Sequence, residues 1–230
     1  MRLRYILSYL RGYKQSFVKS KMSRKRNYAS SQNAPELCKT KKTCLRNKKG
    51  EIVFEDFIDF LPNKTPEEVL QEGSFGGTYF RPIRSSVTNE RYKEAWKDLP
   101  ESWLVGLKVS LQVASPTYDK NVNKYKVKCG ASLEEWERSG WIKAQDPYGW
   151  FQWYCRFYQG RRSSDDERQV GRWKRFLARF KSNLVNKIRK ANTTYNDFTI
   201  SPVIRQSLLH WGYEIVEADM QSTKMRQKDT

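Results

Sequence analysis

The nine residues Trp150-Phe151-Gln152-Trp153-Tyr154-Cys155-Arg156-Phe157-Tyr158 place a large or apolar side chain at every position but Gln152 and Arg156. Wound as an α-helix, such a block is apolar around nearly its whole circumference, and a helix of that kind has to be enclosed by the rest of the chain. Gly160 follows closely and supplies the residue best able to take the left-handed conformation that ends a helix. We therefore expect a central helix over 148–159 and a fold assembled around it.

A second helix is specified just downstream. Ser164 and Glu167 have the Ser-x-x-Glu spacing of a capping box, and Asp165 and Asp166 put negative charge at the positive end of the helix dipole. Beyond them Val170, Trp173, Leu177, Phe180, Leu184 and Ile188 recur at steps of three and four, the apolar stripe of a helix over 165–190. At ~100° per residue, Arg168, Arg172, Arg175, Arg179 and Lys190 fall within a narrow arc on roughly the opposite face. One side of this helix requires a core, and the other presents cations.

The formal net charge of +19 is concentrated rather than spread. Residues 1–50 hold fifteen Lys and Arg against Glu36 alone, and residues 156–190 hold twelve against three acids. Clustered cations point to an anionic partner more strongly than an even scatter does. DNA or RNA is the expected partner, with an acidic protein as the alternative. No apolar run approaches the ~18 residues of a membrane span, so no membrane partner is expected. Cys38, Cys44, Cys129 and Cys155 are scattered, and His210 is the single histidine. Four ligands at zinc-site spacing are missing, and no metal or other cofactor is expected.

In chain order, residues 1–35 contain no acid. Leu3, Ile6, Leu7 and Leu10 against Arg2, Arg4, Arg11 and Lys14 resemble a transit peptide. Lys19, Lys21, Arg24, Lys25 and Arg26 read instead as a nuclear-localisation or nucleic-acid patch. An intracellular, nuclear location is favoured, mitochondrial is the alternative, and Met1 or Met22 serves equally as a start. We divide the chain into a disordered basic tail over 1–50, a single α+β, mostly helical domain over 51–216, and a polar tail over 217–230. Within the domain, residues 51–54 and 125–129 read as short strands and 88–98 as a helix. Thr65-Pro66 opens a helix to Glu72, Ser132 with Glu135 forms a second capping box, and Ser201-Pro202 opens a helix to Trp211.

Several segments resemble a family of proteins from eukaryotes and large DNA viruses. They are Gly73-Ser-Phe-Gly-Gly-Thr-Tyr-Phe-Arg-Pro-Ile83, Leu133-Glu-Glu-Trp136, Asp146-Pro-Tyr-Gly-Trp-Phe-Gln-Trp-Tyr-Cys155, Gly160-Arg-Arg-Ser-Ser-Asp-Asp-Glu-Arg-Gln169 and Ser201-Pro-Val-Ile-Arg-Gln206. The resemblance spans about residues 36 to 216 and implies one folded unit. It brings no activity and no functional residues with it.

The candidate nucleic-acid-binding residues are Arg161, Arg162, Arg168, Arg172, Arg175, Arg179 and Lys190. Arg161 and Arg162 are equally suited to phosphate contact and to latching onto Asp165 and Asp166. Trp150, Trp153 and Tyr154 have the chemistry to stack on unpaired bases, but so dense a cluster belongs in a core. The Gly76-Gly77 pair lacks the rest of a phosphate-loop motif and reads as a plain turn. For catalysis, Asp146, Asp165, Asp166 and Glu167 are the carboxylates of a metal-dependent nuclease alternative. His210, among Leu208, Leu209 and Trp211, reads as a packed helix-end residue. No catalytic residue is assigned, and the expected function is non-enzymatic nucleic-acid binding.

Overall fold

The computed structural model describes residues 45–221, whose regular structure is mostly helical with one two-stranded sheet. The tail expected over 1–50, with its targeting and localisation readings, lies outside the described residues except for 45–50. Those last residues belong to the folded unit: Arg46 bridges to Ile52, donates to Asn63 O at 2.8 Å, and forks onto Glu68 at 2.9 and 2.8 Å. Helix α1, Pro66–Gln71, starts as its sequence dictates, with Thr65 and Glu68 exchanging both capping-box hydrogen bonds and Pro66 in the first turn. At Gly73, where φ is +93°, a Cβ would lie 2.0 Å from Val122 O, so only glycine fits.

The helix expected over 88–98 is not there. Strands β1 (Ile83–Arg84) and β2 (Arg91–Tyr92) pair antiparallel, with Ile83 opposite Tyr92 and Arg84 opposite Arg91. Ser85 Oγ accepts from the Val87 and Thr88 amides at 3.1 and 3.4 Å, and Asn89 and Glu94 are left-handed. Local hydroxyl bonds thus replace the helical ladder, and only Ala95–Asp98 winds into a single 3₁₀ turn. The strand expected over 125–129 is irregular for a related reason. Asn123, fully buried, accepts from Gly76 N at 2.7 Å and donates to Tyr118 Oη and Val127 O, both at 2.7 Å, holding this loop by its side chain. The expected strand over 51–54 reduces to the single bridge at Ile52.

Helix α2, Val109–Gln112, is one turn, and α3, Leu133–Arg138, opens with the Ser132–Glu135 capping box. Helix α4, Trp150–Tyr158, is the enclosed element, with every residue but Arg156 and Tyr158 buried. Phe60 is its principal partner: the ring meets Trp150, Trp153, Tyr154 and Phe157 at 5.5–6.2 Å between centroids, and Trp173 at 5.0 Å. Gly149 caps α4 without a side chain, so the free amides of the first turn need another acceptor. Tyr79 provides it. Its buried phenol accepts from Phe151 N at 2.9 Å and Gln152 N at 3.1 Å, and donates to Tyr148 O at 2.6 Å.

Helix α5, Asp166–Lys190, lays Val170, Trp173, Leu184 and Ile188 on the core, as the stripe predicts. Helix α6, Pro202–His210, packs against it. Residues 217–221, expected in the polar tail, form the short helix α7, Glu217–Gln221. Asp219 anchors it, buried and accepting from Tyr213 Oη at 2.9 Å and Val216 N at 3.0 Å. Residues 222–230 lie outside the described residues.

The two ends of the folded unit are clasped at Asn63. Its side chain donates to Glu214 O and accepts from Glu214 N, both at 2.8 Å, while the Asn63 and Lys64 amides donate to Gly212 O at 3.0 Å. Around the clasp Lys64 and Lys124 alternate with Glu72 and Glu214 in a four-membered charge ring.

Candidate nucleic-acid interface

The cationic face is built from the α4–α5 turn onward. The capping box expected at Ser164 and Glu167 is shifted by one residue: Ser163 N and Oγ donate to Asp166 at 2.8 and 2.7 Å, and Glu167 stays exposed. The shift follows from burial, because Trp153 Nε1 also donates to Asp166 at 2.8 Å and draws that carboxylate into the core.

The seven candidate cations then divide. Arg161 grips Asp146 through both Nη atoms at 2.7 and 2.6 Å, and Arg156 adds a contact to the same carboxylate at 3.0 Å. Asp146 is 1% exposed, so this is an internal ion cluster. Arg162 pairs with Asp56, donates to Phe157 O at 2.8 Å, and lies 3.8 Å over the Phe157 ring. Both arginines are therefore latches, but onto Asp146 and Asp56 rather than onto Asp165 and Asp166. Arg168 pairs with Asp165, with Nη2 at 2.7 Å from Oδ2, and reaches Trp141 O at 3.3 Å. Fork-shaped pairing of this kind uses up the donors that a phosphate would need.

Arg172 and Arg175 are different. Neither has a carboxylate within 4.0 Å among the described residues. Arg172 is half-buried rather than on the open arc, and its one side-chain hydrogen bond among the described residues, from Nη1 to Gln169 Oε1 at 2.8 Å, reaches a neutral partner. Its guanidinium lies over two indoles, 5.3 Å from the Trp141 centroid and 5.5 Å from that of Trp211. Burial, and after it the charge of Arg168, lowers the pKa of Arg172 to about 10, which leaves it cationic at neutral pH. Arg175 is exposed and folds back over Gly171, while Arg179 and Lys190 continue the exposed edge toward the end of α5.

Sequence reasoning missed the aromatic border of this face. Phe176 and Phe180 stack at 4.3 Å, Phe176 stacks on Trp211 at 4.6 Å, and Trp211 on Trp150 at 4.3 Å. The signal was available in part: Phe176 follows Arg172 by four residues, which places it beside the basic arc, and Phe180 lies at the near edge of the apolar stripe. Trp141 and Trp211 arrive from distant segments, and no local pattern announces them. Trp150, Trp153 and Tyr154 are buried and are not available to a ligand.

Asp146, Asp165 and Asp166 are engaged with Arg161, Arg156, Arg168, Trp153 and Ser163, Glu167 is exposed, and no group of three His, Cys, Asp or Glu placed to hold a metal ion occurs among the described residues. The amides of the Phe75–Gly77 turn are likewise taken, by His210 Nε2 at 2.9 Å, Asn123 Oδ1 at 2.7 Å and Ser74 O at 3.1 Å, so the turn is no phosphate cradle. His210 stacks on Phe75 at 4.1 Å, and burial lowers its pKa to about 3, which makes it a neutral acceptor inside the fold. No helix among the described residues is long and apolar enough to cross a membrane. Comparison of the chain with protein families, with curated proteins and with solved structures finds no match.

Proposed function

We propose that this chain binds nucleic acid through the Arg172–Arg175 face of α5, assisted by the non-specific attraction of its basic N-terminal residues. The observation that carries this reading is the contrast between neighbours. Arg161, Arg162 and Arg168 each have a carboxylate, whereas Arg172 and Arg175 stand one turn apart with none among the described residues. A half-buried cation held by a neutral amide and two indoles has surrendered much of its hydration without gaining a counter-charge. A phosphate oxygen offers that charge, and a guanidinium is the group best shaped to take it.

The test is the salt dependence of binding. Each phosphate neutralised contributes about −0.9 to the log–log slope on duplex DNA and about −0.7 on single strands. The double variant Arg172→Gln, Arg175→Gln in the full chain should therefore flatten the slope by about 1.8 on duplex or about 1.4 on a single strand. Gln preserves helix propensity, so the variant should fold. An unchanged slope on every DNA and RNA ligand would show that this face is merely solvated.

A further inference from the structure

The chain has eight tryptophans, all among the described residues. Trp103, Trp150, Trp153 and Trp173 are buried in the core, and Trp96, Trp136 and Trp211 pack on it from outside. Trp141 does neither. It is half-buried, stacks on no other ring, and its indole N–H donates to nothing among the described residues. Its backbone is nonetheless fixed at both ends of the residue, with N donating to Trp136 O at 3.0 Å and O accepting from Arg168 at 3.3 Å. Among the described residues its one ring contact is with the guanidinium of Arg172. Arg168 holds its carbonyl and Arg172 its ring, Arg175 lies close enough to Arg172 for their charges to interact, and Asp165 is already bound by Arg168 and by Gln169 at 3.0 Å.

We propose that Trp141 is a stacking platform for one unpaired base of a single-stranded nucleic acid, whose flanking phosphate is received by Arg172 and Arg175. The proposal rests on the nucleic-acid reading above and narrows it. A duplex offers this face only its phosphates and groove edges, because its base faces are stacked on one another; that would use the arginines and leave the indole idle. A single strand presents a π-face and a phosphate a few ångströms apart, which is what a rigid indole beside two arginines matches. The chemistry is common to DNA and RNA, since the base face and the phosphodiester are shared.

The experiment measures binding of the full chain to oligo-dT, to oligo-U and to a duplex of equal length, for the parent, Trp141→Leu and Trp141→Phe. Leucine keeps the apolar bulk and loses the π-face; phenylalanine keeps both. Trp141→Leu should lose about tenfold in affinity for both single strands and several-fold less than that on the duplex, where only the seat of Arg172 is disturbed, and Trp141→Phe should restore most of the single-strand loss. Loss on oligo-dT or oligo-U alone would assign the platform to that strand, and oligo-dU then separates the sugar from the base methyl. The proposal is overturned if leucine leaves single-strand affinity at the parental level, weakens duplex binding equally, or matches phenylalanine. A readout independent of any substitution is photo-crosslinking of a bromouridine oligonucleotide to the parent chain, with an adduct expected on Trp141; adducts confined to other peptides would overturn it. Flattened salt slopes in the arginine variant with no effect at Trp141 would sink this inference alone, whereas unchanged slopes would remove the nucleic-acid reading itself.

Discussion

Replacing Tyr79 with Phe deletes one buried oxygen and leaves a ring of the same shape. That oxygen serves three backbone groups, the Phe151 and Gln152 amides and the Tyr148 carbonyl. All three lie at the start of a helix whose capping residue, Gly149, has no side chain to substitute. Tyr79 is 6% exposed, so water has little access to the vacated position. Each buried backbone group left without a partner costs about 1–3 kcal/mol. Partial relaxation and the easier burial of a phenyl ring offset some of that sum. We expect Tyr79→Phe to destabilise the fold by about 2–4 kcal/mol, with a fall of about 5–12 °C in Tm. Tyr92→Phe is the control. Its hydroxyl bonds Thr88 and Glu90 near the surface, and its removal should cost less than ~0.5 kcal/mol. Urea denaturation with a common m value measures both. If Tyr79→Phe falls within ~0.5 kcal/mol of the parent, the phenol is not the cap of α4.

Three further outcomes follow from contacts described above. Trp153→Ala, at a fully buried ring, should cost about 3–5 kcal/mol by chemical denaturation; a stable variant would refute the enclosed-helix description. Asp146→Asn leaves Arg156 and Arg161 facing a neutral amide and should cost about 3–5 kcal/mol, whereas Asp56→Asn, at an exposed pair, should cost under ~1 kcal/mol. Acid should weaken the fold in two windows. Burial holds His210 down at about 3, so its contribution is intact above the ordinary histidine range and is lost as pH falls from about 6.5. Burial raises the Glu214 pKa, but hydrogen bonds from Lys124, Lys64 and Tyr125 outweigh it and hold the carboxyl at about 2. Its contribution is therefore present above about 4.5 and lost from there down toward 2, and Glu214→Gln should flatten stability against pH in that lower window only.

What the sequence disclosed tracks the distance over which each feature is determined. Thr65-Pro66, Ser132-x-x-Glu135 and Pro202 fix helix starts within four residues, and all three helices begin there. The core side of α5 was legible because a 25-residue helix repeats its pattern many times. The fate of its arginines was not. Arg162 meets Asp56, 106 positions away, and that pairing is invisible to any local rule. Arg172 looked equivalent to Arg168 by spacing, yet two tryptophans from distant loops close over it while Arg168 is claimed by Asp165. Residues 88–98 read as helix because the spacing of Tyr92, Ala95 and Trp96 suits one, while the competing Ser85 hydroxyl carries no periodic signature.

The Asn63 clasp has a consequence in time. Its partner Glu214 lies 151 residues later in the chain. At ~5–20 residues per second of synthesis, Asn63 and the segment preceding α1 emerge on the order of ten seconds before the segment that receives them. Until α5 is made, Phe60 has no Trp173 to cover it, and until Glu214 is made it has no clasp to hold its segment. The contacts that enclose Phe60 are thus non-local, and the nascent chain carries exposed aromatic surface until α4 and α5 are made.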